Sequence, residues 1–344
     1  MPLMKFKHVY DVEIKDEVSL KAQQNFFTMW GNNYKSNLEN GMFRSYSHIN
    51  HIGNYEIRKI PFGDIGLVIS TIGPSLDNHL QLLKENQNKF IHMAMDVTLP
   101  ALIKNGICPN ILTTIDPSNR IYHLIKDYLS YSKNIVLVCS TTTCPELLVN
   151  WKGPIIFYQQ RDTMKIQNDF LTKLNDNSCT YFYGELMNAG TVIGAAIQAA
   201  IKLGFKNIGL VGHDLAFTDD KPCSIEAFPY MYNIPNEPVG SQLYKNTYEG
   251  AKNHSDFKAV DIYGKEVSSN NLFQVYANYY GMLLYNYMQF FPNTNIYNCT
   301  ENGILKDINI KIETFKTWLS MFCQQEIEVL KELKYKLKFK NFGV

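Results

Sequence analysis

The chain has 344 residues, 45% of them apolar and 19% charged, and its 33 Lys+Arg against 32 Asp+Glu leave a net charge of +1. That balance describes a globular protein, excludes a disordered one, and argues against a nucleic-acid binder, which concentrates a basic excess on one face. No run of about 18 apolar residues occurs, and Asp11, Glu13, Asp16 and Glu17 stand where a signal peptide needs an apolar stretch, so the expectation is a cytoplasmic protein with no transmembrane segment. Seven scattered cysteines with no Cys-x-x-Cys pair speak against structural zinc and a disulfide framework.

Residues 1–60 read as an N-terminal appendage, with a helical stretch from Val18 to Trp30 and a strand over Tyr55 to Ile60. From Gly66 onward one grammar repeats: a short apolar run, a turn residue, then a segment of helical period. The apolar runs are Leu67 to Ser70, Phe90 to Met95, Ile111 to Ile115, Ile135 to Cys139, Ile155 to Tyr158, Tyr181 to Tyr183 and Ile208 to Val211. Their continuity predicts strands covered on both faces, and Leu76 to Asn86, Ser118 to Ser130 and Ala189 to Leu203 predict the crossover helices. The fold class expected is α/β, a Rossmann-like, largely parallel sheet with flanking helices over residues 61–306. Residues 217–270, rich in Pro, Asn, Asp, Lys and Tyr, read as a lid or acceptor loop. A helix from Leu272 to Phe290 and a strand near Asn295 to Tyr297 follow, and residues 307–344 predict a helical tail ending in lysines.

Ligands of such sheets bind outside the carboxyl ends of the strands, so the residues after each apolar run carry the functional reading. After the first strand, Gly73-Pro74-Ser75 opens a helix: Gly73 permits close backbone approach, Ser75 can cap, and first-turn N–H groups suit a phosphate. Asp96 and Asp116 follow the next two strands, where a carboxylate binds a ribose hydroxyl, holds a metal or caps a helix. Thr141 and Thr142 extend this rim toward a substrate, and Asn188, Gly190 and Thr191 begin the small-residue helix that could grip a second anionic group. His213 and Asp214 end the rim as candidate base and hydroxyl or metal ligand, and His254 in the long loop is the other candidate base.

These residues carry a resemblance. Gly73-Pro74-Ser75-Leu76, the strand ending at Asp96, Gly106-Ile107-Cys108-Pro109-Asn110 before Thr114-Ile115-Asp116, Asn188-Ala189-Gly190-Thr191, Gly212-His213-Asp214-Leu215-Ala216-Phe217 and Asn298-Cys299-Thr300-Glu301-Asn302-Gly303 occur in order. The set resembles the motility accessory factor (Maf) family of flagellin glycosyltransferases, whose central domain is similar to family 42 sialyltransferases and to 6-hydroxymethylpterin pyrophosphokinase-like proteins. It departs at Ile72, where sialyltransferases usually have Asn, at His213, often Gln in Maf proteins, and at Asn302, where Gly is usual. The resemblance implies a CMP-activated nonulosonic acid donor of pseudaminic, legionaminic or sialic type, and Ser or Thr of flagellin or a related protein or glycan as acceptor. It places Gly73, Pro74 and Ser75 on the donor phosphate or ribose, Asn188, Gly190 and Thr191 on the CMP, and Asp214 in the donor pocket, with no cofactor required. The pyrophosphokinase alternative instead asks for ATP and for Mg²⁺ held by Asp96, Asp116 and Asp214. A third reading is a nucleotide-sugar-binding accessory protein without turnover.

Overall fold

The computed structural model describes residues 17–45, 62, 65–160, 185–186, 191–329 and 331. Among them nine parallel strands make the main sheet: β1 (Leu67–Ser70), β2 (Ile91–Met95), β3 (Ile111–Thr114), β4 (Val136–Ser140), β5 (Ile155–Gln160), β6 (Glu185–Leu186), β7 (Asn207–Val211), β10 (Asn295–Asn298) and β11 (Ile310–Ile312). β8 (Phe257–Val260) and β9 (Glu266–Ser269) form a separate antiparallel hairpin.

The continuous apolar runs become strands because each side of the sheet has its own core. Along β1, Leu67 and Ile69 enter one core with Ile91, Met93, Ile111, Val136 and Val138, while Val68 enters the other with Ala94, Leu112 and Leu137. The first core is closed by the Val192–Lys202 helix, whose buried Gly194, Ala195, Ala196, Ala199 and Ala200 let it lie close on the sheet, and by the Asn271–Phe290 helix. The second is closed by the Leu76–Asn86 helix and by Phe315 and Trp318 of the Phe315–Phe322 helix. Trp318 lies directly over Gly209 of β7, where an added Cβ would sit 3.0 Å from its ring.

The strand order is β11-β10-β7-β1-β2-β3-β4-β5-β6. The chain therefore runs outward from β1 to β6 and then returns to the other side of β1 through β7. β1 and β7 are paired, Leu67 against Ile208 and Ser70 against Val211, and the chain leaves them in opposite directions along the sheet, toward β2 and toward β10. That is the topological switch point where open α/β sheets hold ligands.

The Rossmann-like, largely parallel sheet is the fold that the sequence predicts, with three differences. Residues 217–270 are not one loop: they hold the Phe228–Met231 and Gln242–Lys252 helices and the β8–β9 hairpin, whose half-exposed strands lack the continuous apolar run that marks the main sheet. The tail starts with β11, an edge strand paired with β10 through Ile310 and Ile312, before turning helical. The first helix runs from Glu17 to Glu39, beyond the predicted Trp30. The strands predicted at Tyr55 to Ile60 and Tyr181 to Tyr183 lie outside the described residues. No helix among the described residues is long and apolar enough to cross a membrane.

Candidate functional site

At the switch point the loops after β1, β2, β3 and β7 surround a cavity of about 500 Å³. Its floor is made by Gly73 and Pro74, by Asp96, by Asp116 and Arg120, by Thr191 at the start of the Val192–Lys202 helix, and by the run from Gly212 to Ala216. Its walls are apolar and aromatic, with Trp30, Tyr232, Phe273 and Tyr276 drawn from segments outside the parallel-sheet loops.

Asp214 organises the floor. It is 1% exposed; its Oδ2 accepts the Ser75 hydroxyl at 2.7 Å, its Oδ1 accepts Thr218 Oγ1 at 2.7 Å, and both oxygens face the Ser75 amide N–H. Burial is the largest influence on the carboxyl and pushes it up to about 6, against these hydrogen bonds and the partial positive charge of the helix start. Gly73 is required beside it, since a Cβ there would collide with Asp214 Oδ2 and the Gly212 carbonyl. The next residue, Leu215, holds φ +48° on the cavity lining, backbone strain of the kind that collects at ligand sites.

His213 is also buried, and its amide donates to Thr300 Oγ1 at 3.0 Å. Its Nδ1–H points to the Val211 carbonyl at 3.4 Å, which leaves the lone pair on Nε2, a buried atom with no partner among the described residues. Burial pulls this imidazole down to about 4, so it is neutral near pH 7. Because the unfolded value is the ordinary 6.5, the stability tied to the neutral ring is complete above pH 6.5 and is lost as pH falls toward 4, about 3 kcal/mol in all. Asp214 acts in the opposite sense: its raised carboxyl favours the fold at low pH and costs stability as pH rises from 3.8 toward 6. In urea unfolding at pH 7 and pH 4.5, we expect His213→Gln to lose less stability on acidification than the parent chain; an equal loss would show that His213 is not held neutral by the fold.

Asp96 lies across the floor with Oδ1 on the Val97 N–H at 2.7 Å and Oδ2 on Thr114 Oγ1 at 2.6 Å; burial outweighs both bonds and raises it to about 6. Asp116 accepts the Ser118 N–H at 2.8 Å. Arg120 donates through Nη2 to the Met231 carbonyl and so ties the β3 loop to the segment that carries Tyr232. Thr191 caps its helix by accepting the Gly194 N–H at 3.1 Å and shares a 2.6 Å hydroxyl contact with Tyr280.

The structure thus brings Gly73, Pro74, Asp96, Asp116, Thr191, His213 and Asp214 to one cavity. Ser75 is not on its lining: it does not cap the helix with its side chain, because its hydroxyl and amide both face Asp214. Thr141 and Thr142 are buried off the lining, and their backbone carbonyls are held by Asn37 and Asn33. His254 is exposed after the Gln242–Lys252 helix and does not reach the cavity. Asn188 and Gly190 lie outside the described residues. The three carboxylates weighed as a Mg²⁺ set line this cavity without forming a metal site: Asp214 turns its oxygens to Ser75 and Thr218 and Asp96 to Val97 and Thr114, and among the described residues no group of three His, Cys, Asp or Glu fits a metal. Trp30, Arg120, Tyr232, Phe273 and Tyr276 were not legible as site residues, because each comes from a segment whose place over the sheet is set by tertiary packing.

The profile of the family described as 6-hydroxymethylpterin diphosphokinase MptE-like matches residues 32–220, just over half of the chain. The chain belongs to this MptE-like family. The match spans β1 to β7, and hence the floor of the cavity, whereas Trp30 and the wall residues from Pro222 to Tyr276 lie outside it. Among solved structures, this MptE-like chain is similar to one described as a MAf glycosyltransferase from Magnetospirillum magneticum AMB-1, with a TM-score of 0.54 and 18% identity over 80% of this chain and 36% of that one. The likeness is one of fold, and the chain spans little more than a third of that protein. No curated protein matches the chain.

Proposed function

We propose that the cavity binds a CMP-activated nonulosonic acid, of pseudaminic, legionaminic or sialic type, and that the chain is a glycosyltransferase acting in the cytoplasm on Ser or Thr of flagellin or a related acceptor. The observation that carries this reading is His213, a buried neutral imidazole on the cavity lining with an unpartnered Nε2. CMP is a good leaving group, so the transfer asks the protein to orient the donor, keep water out and take one proton from the acceptor hydroxyl. In this reading His213 Nε2 accepts that proton as the hydroxyl attacks the anomeric carbon and the bond to CMP breaks. Asp214 touches Ser75 and Thr218 and acts as a positioning residue, holding the Gly73 turn and the His213 loop in register. Arg120 is the cation of the lining and would meet the donor's phosphate or carboxylate.

The family match favours a second reading, an ATP-dependent 6-hydroxymethylpterin diphosphokinase, for which the aromatic walls would take the pterin. A binding protein without turnover is the third. Thermal unfolding with CMP, CDP and ATP, each with and without Mg²⁺, separates them, because a ligand of the native state raises the melting temperature. We expect CMP to raise it without Mg²⁺. A shift with ATP and Mg²⁺ alone would overturn the transferase in favour of the kinase, and CMP-sugar binding without acceptor-stimulated CMP release would leave only a binding protein.

A further inference from the structure

The segment that reads as an appendage is built into the site. Trp30, on the Glu17–Glu39 helix, is 7% exposed and lines the cavity. One turn further, Asn33 Nδ2 donates to the carbonyls of Pro117 at 2.7 Å and Thr142 at 3.0 Å. After another turn, the fully buried Asn37 donates to the carbonyls of Thr141 at 3.1 Å and Thr143 at 2.9 Å. Two amides four residues apart thus place both of their protons on the loops that leave β3 and β4. Behind them, Tyr34 packs on Phe43 with ring centroids 5.5 Å apart, and Phe43 packs on Phe157 of β5 at 5.1 Å. Helix position, and with it the place of the Trp30 indole, is therefore fixed against the β3 loop that lines the cavity and the β4 loop beside it.

We propose that Trp30 is the stacking wall for the planar heterocycle of the ligand. This rests on the nucleotide reading above and names which side chain reads the base. The apolar surfaces of Ile72, Met95, Ile115 and Val192 around the cavity cover the faces of an aromatic ring well. The indole adds the stacking energy that tolerates many bases, while Asp116, beside the Pro117 that anchors Asn33, supplies a polar group for a ring edge. Trp30 lies outside the region shared with the family, whereas the strand-end loops it faces lie inside it.

The test uses the full chain, with CMP and ATP with Mg²⁺ as probes, calorimetry for affinity and tryptophan emission as the local readout. Trp151 and Trp318 are buried off the cavity lining, so the expected quenching on CMP addition belongs to Trp30. Trp30→Phe is expected to abolish the quenching while holding affinity within about threefold, and Trp30→Ala to weaken binding roughly ten- to a hundredfold. Quenching that persists in Trp30→Phe, or unchanged affinity in a folded Trp30→Ala, would overturn the role of Trp30 and leave the nucleotide reading standing. Absence of binding of either probe to the parent chain would overturn the nucleotide reading and the Trp30 proposal with it.

Discussion

Asp214→Ala is expected to cost about 2–4 kcal/mol of stability and to weaken CMP binding at least tenfold, by calorimetry on protein shown to be folded. The substitution strands three donors in a buried place, the Ser75 amide, the Ser75 hydroxyl and the Thr218 hydroxyl, and each unsatisfied donor costs about 1–3 kcal/mol. It also removes a carboxylate whose burial raises its pKa to about 6, which returns part of that cost near pH 7. The net loss is therefore smaller than the three penalties together. Asp214→Asn keeps the shape and one acceptor oxygen, and we expect it to lose about 1–2 kcal/mol and to retain turnover within about tenfold. If Asp214→Asn folds with near-normal affinity yet loses turnover a thousandfold, the carboxylate takes part in the chemistry and the positioning role assigned to it is wrong.

That distinction shows where the sequence stops. The pairing of Gly73-Pro74-Ser75 with Gly212-His213-Asp214 as two turns of one rim follows from apolar runs that end in turn residues. Strand order does not, and only the return of β7 to the free side of β1 turns the two into contacting neighbours. Before that contact is known, Ser75 is a helix cap and Asp214 a pocket acid; after it, each is the other's partner. The same limit hid the walls. Trp30 sits in a helix of mixed polarity that looks like an appendage until Asn33 and Asn37 are seen holding four backbone carbonyls. Thr141 and Thr142 were legible as rim residues, but their carbonyls, which hold Asn37 and Asn33, carry no side-chain signature. The β8–β9 hairpin escaped because Phe257–Val260 alternates half-buried and exposed residues in a stretch dominated by turn formers. The continuous runs of β1 to β5 were readable for the converse reason, that burial on both faces keeps their polar residues, His92 apart, at the carboxyl ends.

Gly303→Ala is expected to be the most damaging single methyl in the site. Gly303 follows β10 at φ +80°, a conformation that strains any L side chain, and its Cβ would collide with the Asp214 carbonyl oxygen and Cα and stand 2.6 Å from the Asp214 carbonyl carbon. These are backbone atoms of the loop that carries His213, and neither side can yield: the Ile304 N–H donates to the Asp214 carbonyl at 2.8 Å, and the Ile262 N–H donates to the Gly303 carbonyl at 2.9 Å. Relief must come from displacement of the whole 212–215 turn, which parts Asp214 from Ser75 and moves the His213 imidazole. We expect a loss of about 3 kcal/mol or more in urea unfolding, combining left-handed strain with overpacking, and CMP affinity reduced more than tenfold. Gly250→Ala serves as the comparison, since it lies within the Gln242–Lys252 helix with open space around its Cβ and is expected to gain about 0.5–1 kcal/mol from helix propensity alone. If Gly303→Ala matched Gly250→Ala in stability and bound CMP as the parent does, the β10 loop would not be what holds the His213–Asp214 turn in place.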